Sequence, residues 1–516
     1  MPSKVNLDAL IPREDFEISD SLTQGVGRSK DTLSINDLKK GEFFFSALRK
    51  PDFQRETNEW DSDKVCSLIE SFLEGDLIPA IILWRNAGSY IFVIDGSHRL
   101  SALAAWINDD YGDGAISKLF YDGIIPEEQI EVAEETRKLI RKKIGSFNDH
   151  LLALDQPDKV KPEIVKWAKS LGALAIQLQW VQGDSSKAEA SFFKINQQAS
   201  PIDTTELKVL KARKKPNGIA ARAIIRSGKG HKYWSVFTPE NQSRIQDIAK
   251  EINSLLFNPK LNTPIKTLDL PIGGKVYAAQ SLPLILDFIN IVNQPNGQSL
   301  ADDIGGDETI HYLSNCRKVL YRINSNHPGS LGLHPAIYFY SHSGRHKPAS
   351  FYATVALTAD LDQKNGYKKF AGVRASFEDL LVKYDYVVQQ IVRKHRGAMA
   401  SYPSIKDFYI SCIDLLSSGS NAEQVIDEVM KDKRFSYITQ GIIENEISSK
   451  EFKTERKSEA FIREAIKNAL RCKICNGYIH RNSISIDHIV RKEDGGVGSI
   501  DNAQLTHPYC NTTLKN

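Results

Sequence analysis

Between Cys472 and Asn511 the chain reads "CKICNGYIHRNSISIDHIVRKEDGGVGSIDNAQLTHPYCN". Two knuckles frame this stretch, Cys472-x-x-Cys475 and His507-x-x-Cys510, with residues 476–506 between them. Four soft donors in two pairs suit a tetrahedral structural zinc. A segment of about 40 residues buries little core of its own and needs such a staple. Only 6 cysteines occur in 516 residues, too few for a disulfide scaffold, and half of them fall in this frame. In a reducing compartment a clustered subset reads as metal-bound. Cys66, Cys316 and Cys412 are scattered in apolar contexts and read as core residues.

A second chemistry lies inside the frame. Asp487 and His488 stand together at the end of "SISIDHI", the glycine-rich "EDGGVGSIDN" leads to Asn502, and Asn511 follows the last knuckle residue. Metal-assisted hydrolysis needs a base, a stabiliser of negative charge and help for the leaving oxygen. An imidazole that titrates near neutrality suits the base, which assigns that task to His488. Asp487 and Asn511 offer hard oxygens to Mg²⁺ or Mn²⁺. A merely structural zinc ribbon requires none of these three residues.

The elements that must hold them are legible. "SISIDHI" alternates Ile484, Ile486 and Ile489 as a strand does. Ahead of the frame, "EFKTERKSEAFIREAIKNALR" (451–471) has the spacing of an amphipathic helix burying Phe461, Ile462, Ala465, Ile466, Ala469 and Leu470. Residues 451–516 hold 11 Lys/Arg against 8 Asp/Glu, a local excess suited to a phosphate backbone.

Together, C-x-x-C, Asp-His, the glycine pair, Asn502 and Cys510-Asn511 resemble the HNH, or ββα-metal, endonuclease motif in its zinc-knuckle form. The resemblance implies DNA as substrate and gives Asn502 the task of shaping the loop and orienting His488. The third zinc position is His507 where that family more often has cysteine. With Asn516 as the last residue, the α element is expected to be one or two turns. Lys515 lies one residue further from Asn511 than the family's usual phosphate-contacting lysine.

The other end of the chain carries a separate signal. "FVIDGSHRLSALAAWI" sets Asp95-Gly96-Ser97-His98-Arg99 between a strand and a helix. Free backbone N–H groups and the positive end of a helix dipole make such a turn a phosphate site. Gly96 permits close approach and Arg99 can clamp an oxyanion in bidentate fashion. The bland alternative is an Asp-Gly turn with a capping serine. The neighbours are a helix in "DSDKVCSLIESFLEGD", stopped by Gly75, a hairpin from "AIILW" and "YIFVI", a strand in "LAIQLQWV" and a helix in "KAEASFFKIN".

"PDFQRETNEW" (51–60), "DGSHR" (95–99) and "FFKINQQASPIDTTEL" (192–207), in this order, resemble the ParB-like nucleotide-binding domain of GmrSD-type and SspE-type restriction proteins. The resemblance places Gln54, Arg55, Asp95, Gly96, His98, Arg99 and Asn196 around a nucleotide pocket. Ser97-His98 stands where that family has two glutamines, and the nuclease here is of the zinc type, unlike that of GmrSD.

The expected architecture is multidomain α+β. It comprises an arm (1–44), a ParB-like α+β sensor (45–215), a mostly helical connector (216–450) and a zinc-stapled HNH domain (451–516). In the connector, "SFEDLLVKYDYVVQQIVRKHR" (376–396) carries one apolar stripe and reads as helix. The net charge of +3 is uninformative for the whole chain, and no apolar run reaches the length of a membrane span. The start has no signal-peptide core, so the expected location is the cytoplasm.

The expected function is a metal-dependent HNH endonuclease controlled by an NTP-binding sensor, with NTP hydrolysis by that sensor left open. Its expected target is phage or modified DNA, with no membrane partner and with a homo-oligomer left open. Two alternatives stand. One is a non-catalytic DNA-binding regulator of the ParB or DGQHR type with a zinc-stabilised clamp, against which Asp487, His488 and Asn511 argue. The other is an unregulated homing-type nuclease, against which the large N-terminal domain argues.

Overall fold

Short β-branched runs in the N-terminal part pair into one mixed sheet. The structure, a computed structural model, describes residues 4–14, 30–51, 54, 57, 60–86, 90–121, 125, 127–199, 208, 211–229, 234–275, 281–294, 300–439 and 452–515. The strands are β1 (Arg13–Glu14), β2 (Thr32–Ser34), β3 (Leu48–Pro51), β4 (Ile81–Arg85), β5 (Ile91–Asp95) and β6 (Ala175–Trp180), in the order β1-β3-β5-β4-β6-β2. β4 and β5 form the expected hairpin, antiparallel with Trp84 opposite Phe92 and Leu83 opposite Val93.

The period of two sorts the side chains of this sheet. Ile81, Leu83, Ile91 and Val93 join one core with Val65, Ile69 and Phe72 of α1 (Ser62–Glu74) and Leu100, Leu103 and Trp106 of α2 (Ser97–Asn108). Trp84, Phe92 and Ile94 face the other way, onto Ala188 and Phe192 of α3 (Ser185–Ala199). Asp61 caps α1 by accepting from the Lys64 N–H at 2.9 Å, and Gly75 ends it in the left-handed region at φ 78°.

The described part of residues 1–44 is not an arm. β1 and β2 are the two edges of the sheet, and Val5, Leu7, Leu10, Ile11, Leu33, Ile35 and Leu38 are buried in its main core. Polar residues between these apolar ones hid the pattern.

The chain divides into two compact units, 1–213 with 229–233, and 214–228 with 234–516. The second holds both the helical region and the nuclease segment. Its helices pack around Pro348–Gln363 and Ala398–Ser417. The stretch 376–396 is two helices rather than one, α4 (Tyr367–Lys383) and α5 (Asp385–His395), broken at Tyr384. Buried Asp385 accepts from Lys347 Nζ at 2.7 Å, which fixes the start of the new helix.

The amphipathic segment at 451–471 is also shorter than expected. α6 spans Thr454–Lys467 and buries Ile462, but Asn468 ends it and Leu470 is exposed. There the chain turns into the knuckle, where the Ile479 N–H donates to Leu470 O at 2.8 Å. Two antiparallel strands, β7 (Ser485–His488) and β8 (Ala503–Thr506), and a five-residue π-helix at Cys510–Leu514 complete the nuclease segment. No helix among the described residues is long and apolar enough to cross a membrane.

Candidate nuclease centre and zinc knuckle

The two knuckles meet. The ligand atoms of Cys472, Cys475, His507 and Cys510 all lie within 4.8 Å of one another. His507 Nδ1 is 3.3 Å from Cys475 Sγ and 3.8 Å from Cys510 Sγ. A tetrahedron with ordinary zinc bond lengths has an S···N edge of about 3.6 Å, so the four residues fit the ion. The far ring nitrogen of His507 lies 3.0 Å from Tyr478 O; donating there turns Nδ1 inward as the ligand. Burial, with the Arg374 guanidinium nearby, lowers the pKa of His507 and favours the neutral ring that metals bind. Hydrogen bonding among the three thiols lowers Cys472 and raises Cys475 and Cys510, as three sulfurs crowded around one point must. Ile479, Ile484, Leu505 and Leu514 close a small apolar shell around the cluster.

The hairpin next to it positions the Asp-His pair. Asp487 lies opposite Gln504 and His488 opposite Ala503. The alternation of β7 buries Asp487, whereas Ile486 and Ile489 point to solvent. Asp487 Oδ2 accepts from Gln504 Nε2 at 2.7 Å and from Lys515 Nζ at 2.8 Å. Among the described residues its Oδ1 makes no hydrogen bond. The ammonium of Lys515 also contacts the main-chain carbonyls of His488 and Ile489. Among the described residues the half-buried His488 ring has no hydrogen-bonding or ionic partner.

Asn502 works on the loop that follows. Its Oδ1 accepts from the Val490 N–H at 2.7 Å, and its Nδ2 donates to Val490 O at 3.1 Å and Val497 O at 2.8 Å. Its contacts are with the residues after His488, not with the ring. Asn511, in the π-helix against β7, donates from Nδ2 to Ser485 Oγ at 2.6 Å and to Ile486 O at 3.3 Å. That leaves its carboxamide oxygen uncommitted. Asp487 Oδ1 and Asn511 Oδ1 are therefore two hard oxygens available to a divalent ion.

The N-terminal turn is arranged differently. Parallel pairing of β3 and β5 brings their carboxyl ends, and with them the Asp95–Arg99 turn, to one rim of the sheet, the edge on which the strands end. Buried Gln54 lies on that edge, with Oε1 unbonded. Gly96 adopts φ 98°, and a Cβ there would meet Ile81 Cδ1 at 2.4 Å, so glycine is required. No side chain caps α2, so Ser97 is not the capping serine of the bland alternative. Arg99 Nη2 donates to Asp95 Oδ2 at 2.7 Å and to Ala80 O at 3.3 Å. The His98 ring stacks on Trp60 at 5.6 Å. Asn196 lies on α3, though its side chain and all of Arg55 fall outside the described residues.

Sequence reasoning missed the support beneath this edge. Lys50 is fully buried and donates to Asp8 Oδ1 at 2.7 Å and to Thr57 Oγ1 at 3.2 Å, while Arg13 donates to Gln54 O. This network fixes the backbone that carries Gln54. A lysine just before "PDF" and an acid in the supposed arm gave no local sign of it.

Two family matches coincide with these two centres. Residues 34–213 match the GmrSD restriction endonuclease N-terminal domain, and residues 472–516 match the HNH endonuclease. The two matches together are those of a GmrSD-like fusion, a restriction-type N-terminal domain followed by an HNH nuclease domain. The substrate such a nuclease domain implies is DNA. Residues 214–471 of this GmrSD-like protein lie outside both matches. No curated protein and no solved structure shows a significant match to the chain.

Proposed function

We propose that this GmrSD-like protein is a divalent-metal-dependent DNA endonuclease whose cleavage is governed by nucleotide at the Asp95–Arg99 edge. The reading rests on one contrast within the hairpin: Asp487 is anchored through one oxygen, and the adjacent His488 ring is left without a partner. His488 removes the proton from the attacking water. Asp487 and Asn511 hold Mg²⁺ or Mn²⁺, which when bound supplies charge stabilisation at the phosphate and the departing 3′-oxygen. Gln504 fixes the carboxylate plane, and Asn502 fixes where the chain leaves His488. The Cys472, Cys475, His507, Cys510 zinc is structural and keeps β7, β8 and the π-helix in register.

In the N-terminal domain Gln54, Arg55, Asp95, Gly96, His98, Arg99 and Asn196 form the nucleotide pocket, and hydrolysis of the NTP there is part of the proposal. An uncontrolled nuclease endangers its own host's DNA, which motivates a sensor. The proposed setting is cytoplasmic restriction of phage or modified DNA.

The test is plasmid cleavage with Mg²⁺ or Mn²⁺, on modified and unmodified DNA, with and without each NTP. Cleavage that requires a divalent ion and responds to one nucleotide is the expected result. No cleavage by the zinc-loaded protein under any of these conditions overturns the nuclease reading.

A further inference from the structure

The least expected charge in the second unit is Arg374, on α4 in the middle of the helical region. Its side chain is 2% exposed and its guanidinium lies against the zinc knuckle, with Nη1 3.2 Å from His507 Nδ1. The rest of the fork is satisfied. Nε donates to Glu378 Oε1 at 2.7 Å, Nη2 to Gly332 O at 2.9 Å, and Nη1 to Leu331 O. Glu378 also accepts from the Tyr478 N–H at 2.7 Å and from Tyr338 OH at 3.0 Å. The chain makes room for this arrangement. A Cβ at Gly477 would meet Arg374 Nε at 2.5 Å, and one at Gly332 would meet His507 Cδ2 at 2.7 Å.

A buried arginine needs a reason beyond its one carboxylate, since an ion pair of this kind is often replaceable by apolar residues without loss of stability. The knuckle provides one. Zinc with three thiolates and a neutral imidazole leaves one net negative charge in a dry site. His507 Nδ1 has a single lone pair, so it cannot both ligate zinc and accept from Arg374. In the loaded protein the guanidinium therefore acts on the site by its charge.

We propose that Arg374 is the charge partner of the Cys472–Cys475–His507–Cys510 zinc, and that it ties retention of the metal to docking of the nuclease segment on α4. The Arg374–Glu378 pair is a dipole whose positive end faces the thiolates. Removing it weakens the hold on zinc even where the fold survives, and a lysine at 374 restores the charge without the fork.

The experiment follows transfer of zinc from full-length protein to a metallochromic chelator, with thermal melting in excess zinc as the check on folding. Two variants are compared with wild type. Arg374→Met with Glu378→Gln removes both charges, and the glutamine still accepts from Tyr478 N–H. It is expected to release zinc at least about tenfold faster, the range seen when groups bonded to metal ligands are lost. Arg374→Lys is expected to stay within about threefold of wild type, since the retained charge supplies most of that range. Unchanged release from the folded double variant overturns the proposal, as does a lysine variant that releases zinc as fast as the double one. Should the double variant fail to fold, the lysine variant decides alone: retention supports the charge, and loss with an intact melt refutes it.

Discussion

The two candidate centres of this protein are built on opposite plans. In the HNH hairpin the anchoring atoms are bonded and the reacting atoms are not. Asp487 Oδ2, Asn511 Nδ2 and all the polar side-chain atoms of Asn502 are engaged, while the His488 ring, Asp487 Oδ1 and Asn511 Oδ1 are free to act. At the N-terminal edge the two charged groups of the turn are paired with each other, Arg99 to Asp95. A site that has to receive an ion and orient a water keeps the atoms for both tasks uncommitted. A site that answers to a ligand has an internal contact for the ligand to displace, and a half-exposed ion pair costs little to break.

The largest expected effect lies on the prepared side. His488→Ala removes the proposed base and nothing that holds the fold, so cleavage falls by about two to four orders of magnitude. Zinc content and melting temperature stay at wild-type values. Wild-type activity in this variant removes the contrast on which the nuclease reading rests. Next comes the staple. Cys510→Ser, or exhaustive chelation, is expected to strip the zinc and leave the 472–511 segment open to protease, because in so small a segment metal binding and folding are one event. A protease pattern unchanged after verified zinc loss shows instead that contacts with the helical region suffice.

Acid tests the same junction. Burial holds His334 down at about 3 and His480 at about 4, against an ordinary value of 6.5. The folded state therefore binds fewer protons than the unfolded one between these values. The stabilisation is complete above pH ~6.5 and is lost as pH falls, on the order of 2 kcal/mol for each between pH 7 and pH 5. The groups facing His334 are His480, Arg374 and His507. Its Nδ1 accepts from the Ala336 N–H at 3.2 Å as a helix cap, a task asparagine also performs. His334→Asn is thus expected to flatten the slope of melting temperature between pH 7 and pH 5, and an unchanged slope places the acid sensitivity elsewhere.

On the other side of the comparison, Arg99→Ala is expected to weaken nucleotide binding about tenfold, the equivalent of roughly 1.4 kcal/mol for one charge-assisted contact. His488→Ala leaves that binding unchanged. Titration of a labelled nucleotide against both variants makes the check, and equal affinities in Arg99→Ala and wild type return the turn to a purely structural role.

What the sequence disclosed follows the same division. The zinc ligands, the Asp-His pair, Asn502 and Asn511 are local in the chain: spacing paired the two knuckles, and the resemblance to the HNH motif grouped the other four residues. The hairpin β4–β5 and helices α1 and α2 were legible for the same reason, with periodic apolar residues bounded by Asp61 and Gly75. What escaped depends on distant partners. Arg374 reaches a knuckle 133 residues away, and Lys50 reaches Asp8 over 42 residues. Neither leaves a periodic trace, and both are charges in otherwise ordinary helix or strand text. The short edge strands β1 and β2 were missed because two or three residues carry no alternation to count.

The smallest effect concerns a cation already inside the prepared site. Lys515 Nζ lies 2.8 Å from Asp487 Oδ2, with side chains 18% and 7% exposed, and touches two main-chain carbonyls as well. An ammonium and a divalent ion then compete for one carboxylate, and like charges at this range repel. A difference on the order of 1 kcal/mol, as the carboxylate keeps its bond from Gln504, corresponds to roughly a fivefold change in an equilibrium constant. Lys515→Met is therefore expected to lower the Mg²⁺ concentration for half-maximal cleavage by up to about fivefold. The measurement is a Mg²⁺ titration of cleavage at saturating DNA, repeated as a DNA titration at saturating Mg²⁺. A lower Mg²⁺ midpoint with an unchanged DNA midpoint identifies the lysine as a tethered competitor of the ion. An unchanged Mg²⁺ midpoint with a raised DNA midpoint assigns it instead to the phosphate backbone, and the carboxylate of Asp487 then serves both cations at once through its two oxygens.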